Sequence, residues 1–345
     1  MSDVKFLIRF LTLILTGLAL NALAISPLRA EWFQGNTHTH TLNSDGDSTP
    51  DAVVRWYREH GYDFVFITDH GMVTDVQPLN ALFGGGGQFL VLPGEEVTSN
   101  SKTPDLHVHV NALNPSGKIK AQIGKGARDT LQMDLDVVAA SGALAQINHP
   151  NFFWQLTADD IASVKGATFM EIANMQPDVN SLGAGPHAPG TEEIWDQVLS
   201  RGMAIWGTAS DDAHDFKDKM PPDPKWPLAK PGGGWIAVRA EHLTREEIMK
   251  ALRAGDFYAS TGVVLKDYKA TGKEISVQVQ PREAYKEKYR IQFITRNGKI
   301  LQDTTAESAA YAIKGYEGYI RVRITNSNGQ TAWTQPVFTD GRKLP

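Results

Sequence analysis

The sequence predicts an α/β fold, with a barrel of seven strands over residues 31–265 and a small antiparallel β module over residues 266–345. Three observations carry that expectation. Apolar runs of strand length alternate with stretches of helical length, the pattern of parallel strands joined by crossover helices. Nearly every run ends in a histidine or a carboxylate, so the chemistry collects at one mouth of a closed or nearly closed barrel. Beyond about residue 266 the hydrophobic period changes to strict alternation, as in half-buried strands.

Residues 1–30 stand apart from this pattern. Lys5 and Arg9 flank an apolar run from Phe10 to Ala24, and small residues follow at Ala22-Leu23-Ala24 and Ala30. That is the outline of a secretory signal peptide, cleaved after Ala24 or Ala30, and it implies a periplasmic or secreted protein. Thr12, Thr16 and Asn21 interrupt a run already too short for a comfortable span, so no stable membrane anchor is expected after cleavage. The chain has no cysteine, which excludes disulfide stapling, thiolate catalysis and a lipoprotein anchor on this sequence. Its formal charge of −5 becomes −7 once three basic residues and one acidic residue leave with the leader. With no long basic run, that balance opposes a nucleic-acid partner and leaves a small-molecule substrate.

A partly aromatic strand from Trp32 to Thr37 leads into His38. Ser48-Thr49-Pro50 then opens a helix through about His60, stopped by Gly61. Phe64 to Thr68 is an apolar run ending in Asp69-His70, and Phe89 to Leu92 runs into Pro93-Gly94-Glu95-Glu96. The segment around Val108 carries His107 and His109, a helix is expected over Met133 to Ala140, and Ala143 to Ile147 delivers Asn148-His149-Pro150. Phe169 to Ala173 is a strand with no histidine at its end; a helix over Glu192 to Leu199 and Gly202 precede Ala204 to Thr208, which runs into Ser210-Asp211-Asp212-Ala213-His214. Pro221 to Pro224 and Pro231 to Gly234 bracket a loop around Trp226, followed by a strand from Trp235 to Val238. Thr244-Arg245-Glu246-Glu247 has the capping-box pattern of a helix that ends near Gly255. In the last segment, alternation at Ile275, Val277 and Val279, at Tyr289, Ile291 and Phe293, and at Tyr319 to Ile324 marks strands, with hairpin turns at Asn297-Gly298 and Asn328-Gly329.

In order along the chain the candidate metal ligands are His38, His40, Asp45, His70, Glu96, His109, His149, Asp212 and His214. His38 and His40 share one face of an extended chain, and Asp45 returns to it through the turn that Asn43, Ser44 and Gly46 favour. Nitrogen and oxygen ligands without sulfur suit Zn, Mn or Fe, and their number exceeds what one ion needs. Two or three divalent ions sharing a bridging group are therefore expected.

The series His-x-His-Thr with Ser-Asp-Gly, Thr-Asp-His, Gly-x-Glu-Val-Thr, Asn-His-Pro and Asp-Ala-His resembles the PHP (polymerase and histidinol phosphatase) superfamily. Pro-Gly-Glu-Glu-Val-Thr, His-Val-Asn-Ala-Leu, Ser-Asp-Asp-Ala-His and Tyr-Ala-Ser-Thr-Gly are more similar to its carbaryl-hydrolase-like (CehA/McbA) branch. The resemblance spans about residues 33 to 262 and implies a distorted (β/α)7 barrel with a trinuclear site. It places His38, His40, Glu96 and Asp212 on a first metal and His109 and His149 on a second, with Glu96 bridging. Asp45, His70 and His214 hold the third, and Glu96, His109 and Asp212 are the residues assigned to catalysis. Gly94-x-Glu96 selects Glu96 over Glu95. His107 is read as facing substrate or as a surface histidine, His187 as a loop bystander or a proton donor, and His60 and His242 as structural.

Such a site points to a hydrolase in which a hydroxide between two ions attacks an electrophilic phosphorus or carbonyl centre. Three ions can each take an oxygen of a phosphoryl group, which favours a phosphoesterase. The branch resemblance pulls towards carbamate, amide or ester bonds, with Phe152-Phe153-Trp154 and the loop around Trp226 lining an apolar pocket or merely covering the barrel. A periplasmic metal-binding or ligand-binding protein without catalysis is the reading from a different class, and it has no use for open coordination positions.

Overall fold

The computed structural model describes residues 30–217, 227–282, 286–342 and 344. The expected leader, apart from Ala30, and the loop residues Pro221 to Pro224 and Trp226 lie outside the described residues. Among the described residues no helix is long and apolar enough to cross a membrane.

All seven expected strands form: β1 (Glu31–Asn36), β2 (Phe64–Ile67), β3 (Leu90–Lys102), β4 (Asp105–Leu113), β5 (Leu144–Ile147), β6 (Ala167–Asn174) and β7 (Trp206–Ser210). They lie side by side in sequence order. β1, β2 and β3 pair in parallel, as do β5, β6 and β7, and their apolar runs are buried on both faces. The expectation of parallel pairing fails at β4, which runs antiparallel to both β3 and β5. The reason is chain length. Lys102 pairs directly with Asp105, so β3 and β4 form a hairpin, and no crossover fits between them.

The sheet is not closed, in contrast to the expected barrel. β7 ends one side of the hydrogen-bonded path, and β1 pairs instead with antiparallel β8 (Trp235–Ala240). Side chains satisfy the edge of β7: the Gln335 amide donates to and accepts from the backbone of Gly207 at 2.8 Å each way. Past the strand ends, Asp211 accepts the backbone N–H groups of Gly233 and Gly234. A Cβ on Gly234 would come within 2.4 Å of the Ser210 carbonyl, so only glycine permits this approach. An isolated parallel bridge, Thr39 to Ala213, ties the segment after β1 to the segment after β7.

Helices Pro50–Glu59, Ala127–Ala140, Thr191–Ser200 and Arg245–Ala254 match the four expected ones to within a few residues except at the start of the second. Thr244 caps the last by accepting from the Glu247 N–H, and Gly255 ends it at φ 75°. Gln77–Phe83 and Ala158–Ser163 are helices that the sequence reading passed over.

From residue 257 on the strands are antiparallel: β9 (Phe257–Ser260), β10 (Leu265–Ala270), β11 (Glu274–Val279), β12 (Tyr289–Thr295), β13 (Lys299–Thr305), β14 (Ser308–Ala312), β15 (Tyr319–Asn326), β16 (Thr331–Thr334) and β17 (Val337–Phe338). The turns at Asn297-Gly298 and Asn328-Gly329 sit where expected, between β12 and β13 and between β15 and β16. These strands do not stand apart from the rest. β16 pairs with β9 and β9 with β8, so β12, β13, β15 and β16 continue the main sheet, while β10, β11 and β14 form a separate three-stranded one. The alternating polar face of β15 is also not a solvent face. Arg321 is 1% exposed and grips Asp196 of helix Thr191–Ser200 with two nitrogens, at 2.8 and 2.6 Å, and Glu192 at 2.7 Å. Tyr319 donates to the same Asp196.

Candidate metal centre

The nine candidate ligands meet at the mouth formed by the ends of these strands. His38 and His40 follow β1, held in place by backbone bonds from Asp212 N to His38 O and from His40 N to Ala213 O, both 3.0 Å. Glu96 projects from β3 into the middle of the group. Its Oε1 lies 3.2 Å from both His109 Nδ1 and His149 Nε2. Its Oε2 lies 3.3 Å from His38 Nε2, 3.4 Å from His40 Nε2 and 2.9 Å from His70 Nδ1. Asp212 Oδ1 is 3.1 Å from both His38 Nε2 and His40 Nε2. On the outer side, Asp45 stands 3.4 Å from His40, His70 and His214. Three ligand groups therefore emerge: His38 with His40 and Asp212; His38 with Glu96 and His149; His40 with Asp45, His70 and His214. His109 is at the edge of the second through Glu96.

The antiparallel turn of β4 is what brings His109 here, because the Cα partner of His109 on β3 is Thr98, two residues past Glu96. Glu95 is buried too, but alternation sends it to the other face, where its carboxylate accepts the Ile119 N–H at 2.7 Å. His107 leaves the centre and stacks on Phe153, with ring centroids 4.1 Å apart. His60 stacks on Trp56, and His187 and His242 are exposed.

Outer partners fix which ring nitrogen faces inward. Nδ1 of His38 lies 2.8 Å from Glu171, Nε2 of His109 lies 3.0 Å from the Asn100 carbonyl oxygen, and Nδ1 of His214 lies 2.8 Å from the Asp212 backbone oxygen. Each partner takes an N–H, so the opposite nitrogen is the one that faces the site and can offer a lone pair once it is deprotonated. Glu171 is the residue that sequence reading missed. It lies within β6, fully buried, and besides His38 it accepts from the His149 N–H, Ser210 Oγ and Asn174 Nδ2 at 2.7, 2.5 and 2.8 Å. The signal was present: a lone carboxylate inside the apolar run Phe169 to Ala173. Asp69 does the same for the first loop, accepting from Thr41, Ser44 and Thr74.

Two ligands sit in the left-handed region, His149 at φ 24° and Asp212 at φ 50°. Non-glycine residues there are strained by about 1–3 kcal/mol, a strain that persists where surroundings over-determine it. The hydrogen bonds just described, from His149 N to Glu171 and from Asp212 N to His38, supply that over-determination.

The electrostatics are those of carboxylates waiting for cations. Burial alone would raise the carboxyl of Glu96, yet the surrounding His70, His38 and His109 hold it well below the ordinary range. Asp45 and Asp212 are likewise lowered against the pull of burial, by His214 and His70 in one case and His38 and His40 in the other. Burial lowers histidines, but Glu96 and Asp45 bring His70 up to about 11, and Asp45 and Asp212 bring His214 up to about 9. His40 goes the other way, to about 4, through burial and the neighbouring His214. His70 and His214, both beside Asp45, are thus held in the protonated form in the metal-free site.

The donor set fits divalent metal. Among the described residues His38 Nε2, Glu96 Oε2 and His109 Nδ1 are buried atoms with no hydrogen bond of regular geometry, and their polar neighbours at 2.9–3.3 Å are other candidate ligands. All three belong to candidate ligands. The cavity over them, about 120 Å³, is walled by Phe152, Gln176, Asp178 and Val179 besides the ligands.

No family model matches the chain, and no curated protein matches it. Several solved structures are similar in part, three of them as follows. One is a two-domain protein from Bacteroides vulgatus containing a predicted PHP-like metal-dependent phosphoesterase, 15% identical over 86% of this chain and 90% of that one, with a TM-score of 0.48. The second, described as a candidate metal-dependent phosphoesterase from Bifidobacterium adolescentis, is 15% identical over 57% of this chain and 92% of that one, with a TM-score of 0.38. The third is an amidohydrolase from Chromobacterium violaceum with bound sulfate and no metal, 14% identical over 55% and 92%, also at 0.38.

Proposed function

We propose that this protein is an exported metal-dependent hydrolase and that it cleaves phosphate esters. The observation that carries the reading is Glu96, whose two oxygens face two different sets of histidines while a third group, Asp45, His70 and His214, stands beside them. Export rests on the leader pattern of residues 1–30.

In this reading Glu96, His38, His40, Asp212, His109 and His149 would hold two ions, and Asp45, His70 and His214 would hold a third. Bound divalent ions supply a water deprotonated near neutral pH and positive charge for the developing oxyanion. The chain does the rest. Glu171 and Asn100 lock the rings of His38 and His109, and Asn174 donates to Asp212 Oδ2 at 3.1 Å, so the ligand geometry is set before substrate arrives. Phe152 lies over His149 and His109, with centroids 5.2 and 5.6 Å away, and keeps water off that side.

The same Phe152 wall favours a second reading, a carbamate, amide or ester hydrolase acting on an aryl substrate at two ions. Asp45→Asn separates the two. Asp45 belongs to the third group and also lies 3.4 Å from His40, and stabilising a phosphoryl oxygen at that group would be worth on the order of 10²-fold in rate. The variant should lose phosphate-ester turnover by that factor, and chelator should abolish turnover in the wild type. Wild-type enzyme that prefers an aryl carbamate, with that activity intact in Asp45→Asn, would overturn the phosphoesterase reading.

A further inference from the structure

A second, much larger cleft of about 810 Å³ opens next to the metal cavity. Gln176 belongs to the walls of both. Asn174 also joins them, since it lines the cleft while donating to the ligand Asp212. One wall is the segment after β6, from Met175 to Gly190. The opposite wall is the β15–β16 hairpin, with Asn328, Gln330 and Trp333, together with Thr261.

That hairpin is pre-set. Asn326 Oδ1 accepts the N–H groups of Asn328 and Gln330, both at 3.0 Å, and Thr331 N donates to Thr261 Oγ1 at 2.9 Å. Gln176 is not pre-set in the same sense. Among the described residues its Oε1 is buried without a hydrogen-bond partner, while the side chain borders both cavities. Leu182 stands 97% exposed at the rim.

The charge of the cleft selects its occupant. Its lining holds two carboxylates, Glu192 and Glu193, and a single cation, Arg323, which is already held by Gln292 at 2.8 Å and lies 3.4 Å from Glu192. A second phosphate or an oligonucleotide would meet Glu193 and, among the described lining residues, only a cation that is already engaged, which is unfavourable. Neutral amides and hydroxyls supply most of the polar lining, and they suit a neutral alcohol with several hydroxyl groups.

We infer that this cleft is the leaving-group subsite, that Gln176 is a specificity residue in it, and that the substrate is a phosphate ester of a sugar or other polyol. The inference rests on the phosphoesterase reading and adds where the alcohol goes. It also gives the C-terminal strands a task, because without β15 and β16 the cleft has one wall.

The test compares a hexose phosphate with phenyl phosphate and with a nucleoside diphosphate, in the wild type and in Gln176→Ala and Asn328→Ala. Removing Gln176 Oε1 breaks no hydrogen bond among the described residues, and Asn328→Ala loses one exposed bond, from Asn328 Nδ2 to Glu287 at 2.9 Å, so both variants should fold; circular dichroism and metal content check this. A neutral hydrogen bond is worth about twofold to tenfold in affinity. The ratio of kcat/KM for hexose phosphate to that for phenyl phosphate should exceed about 10 in the wild type and fall several-fold in each variant, chiefly through KM. If phenyl phosphate turns over but the ratio is near 1 or does not move in either variant, the subsite is refuted alone. A preference for the nucleoside diphosphate refutes it as well. If no phosphate ester turns over in the metal-loaded enzyme, the phosphoesterase reading falls and this inference falls with it.

Discussion

Glu171→Gln tests whether the centre is built from the outside in. The carboxylate is fully buried and serves four donors at 2.5–2.8 Å: His38 Nδ1, the His149 backbone N–H, Ser210 Oγ and Asn174 Nδ2. A glutamine keeps the shape but turns one acceptor oxygen into an NH₂ group. At least one donor then faces a donor, and the negative charge that favours the Nδ1–H form of His38 is gone. Loss of such an outer partner lowers metal affinity by about 10–100-fold, equivalent to roughly 1.4–2.7 kcal/mol. One unmet buried donor costs a further 1–3 kcal/mol or so in folding stability. Calorimetric titration of Mn²⁺ or Zn²⁺ into metal-free protein reads the first quantity, and urea unfolding of the metal-free form reads the second. Wild-type metal affinity in Glu171→Gln would refute the argument, since His38 would then be oriented without its carboxylate. A loss of stability with affinity unchanged would refute it too, leaving Glu171 only a packing role.

Glu96→Gln should remove activity and most bound metal, measured by elemental analysis, whereas Glu95→Gln, on the opposite face of β3, should keep both; the reverse ranking would place the bridge on the wrong carboxylate. Metal loading at pH 7.5 should release at least two protons, measured from the buffer dependence of the titration heat. His70 at about 11 and His214 at about 9 carry protons there that a ligand nitrogen must give up, so affinity should climb as pH rises towards 9 and fall below it. For the metal-free fold the sign is the opposite: both values lie above 6.5, so their stabilisation is full below that pH and is lost as pH passes through 9 and then 11. Arg321→Ala strips the buried partner from Asp196 and Glu192 and should cost about 3–5 kcal/mol in urea unfolding, lowering the stability of the whole chain in one transition. Two separate transitions would show the C-terminal strands to be an independent unit.

The sequence by itself determined the candidate ligands, their order and the apolar runs that precede most of them, because alternation and run length are local properties of the chain. Alternation put Glu96 and Glu95 on opposite faces of a strand, and the resemblance to the PHP pattern Gly-x-Glu chose Glu96. The turns at Asn297-Gly298 and Asn328-Gly329 were legible for the same reason: their backbone demands are met within a few residues. Only the tertiary structure decided the direction of β4, which depends on a hairpin too short for a crossover and which carries His109 into the centre. It alone revealed Glu171, whose importance lies in partners 3 to 133 residues away. It alone joined the C-terminal strands to the main sheet and buried the charged face of β15. Alternation specifies two faces of a strand and cannot say what covers the polar one; here Asp196 and Glu192, from a helix more than a hundred residues earlier, neutralise Arg321 and make its burial tolerable.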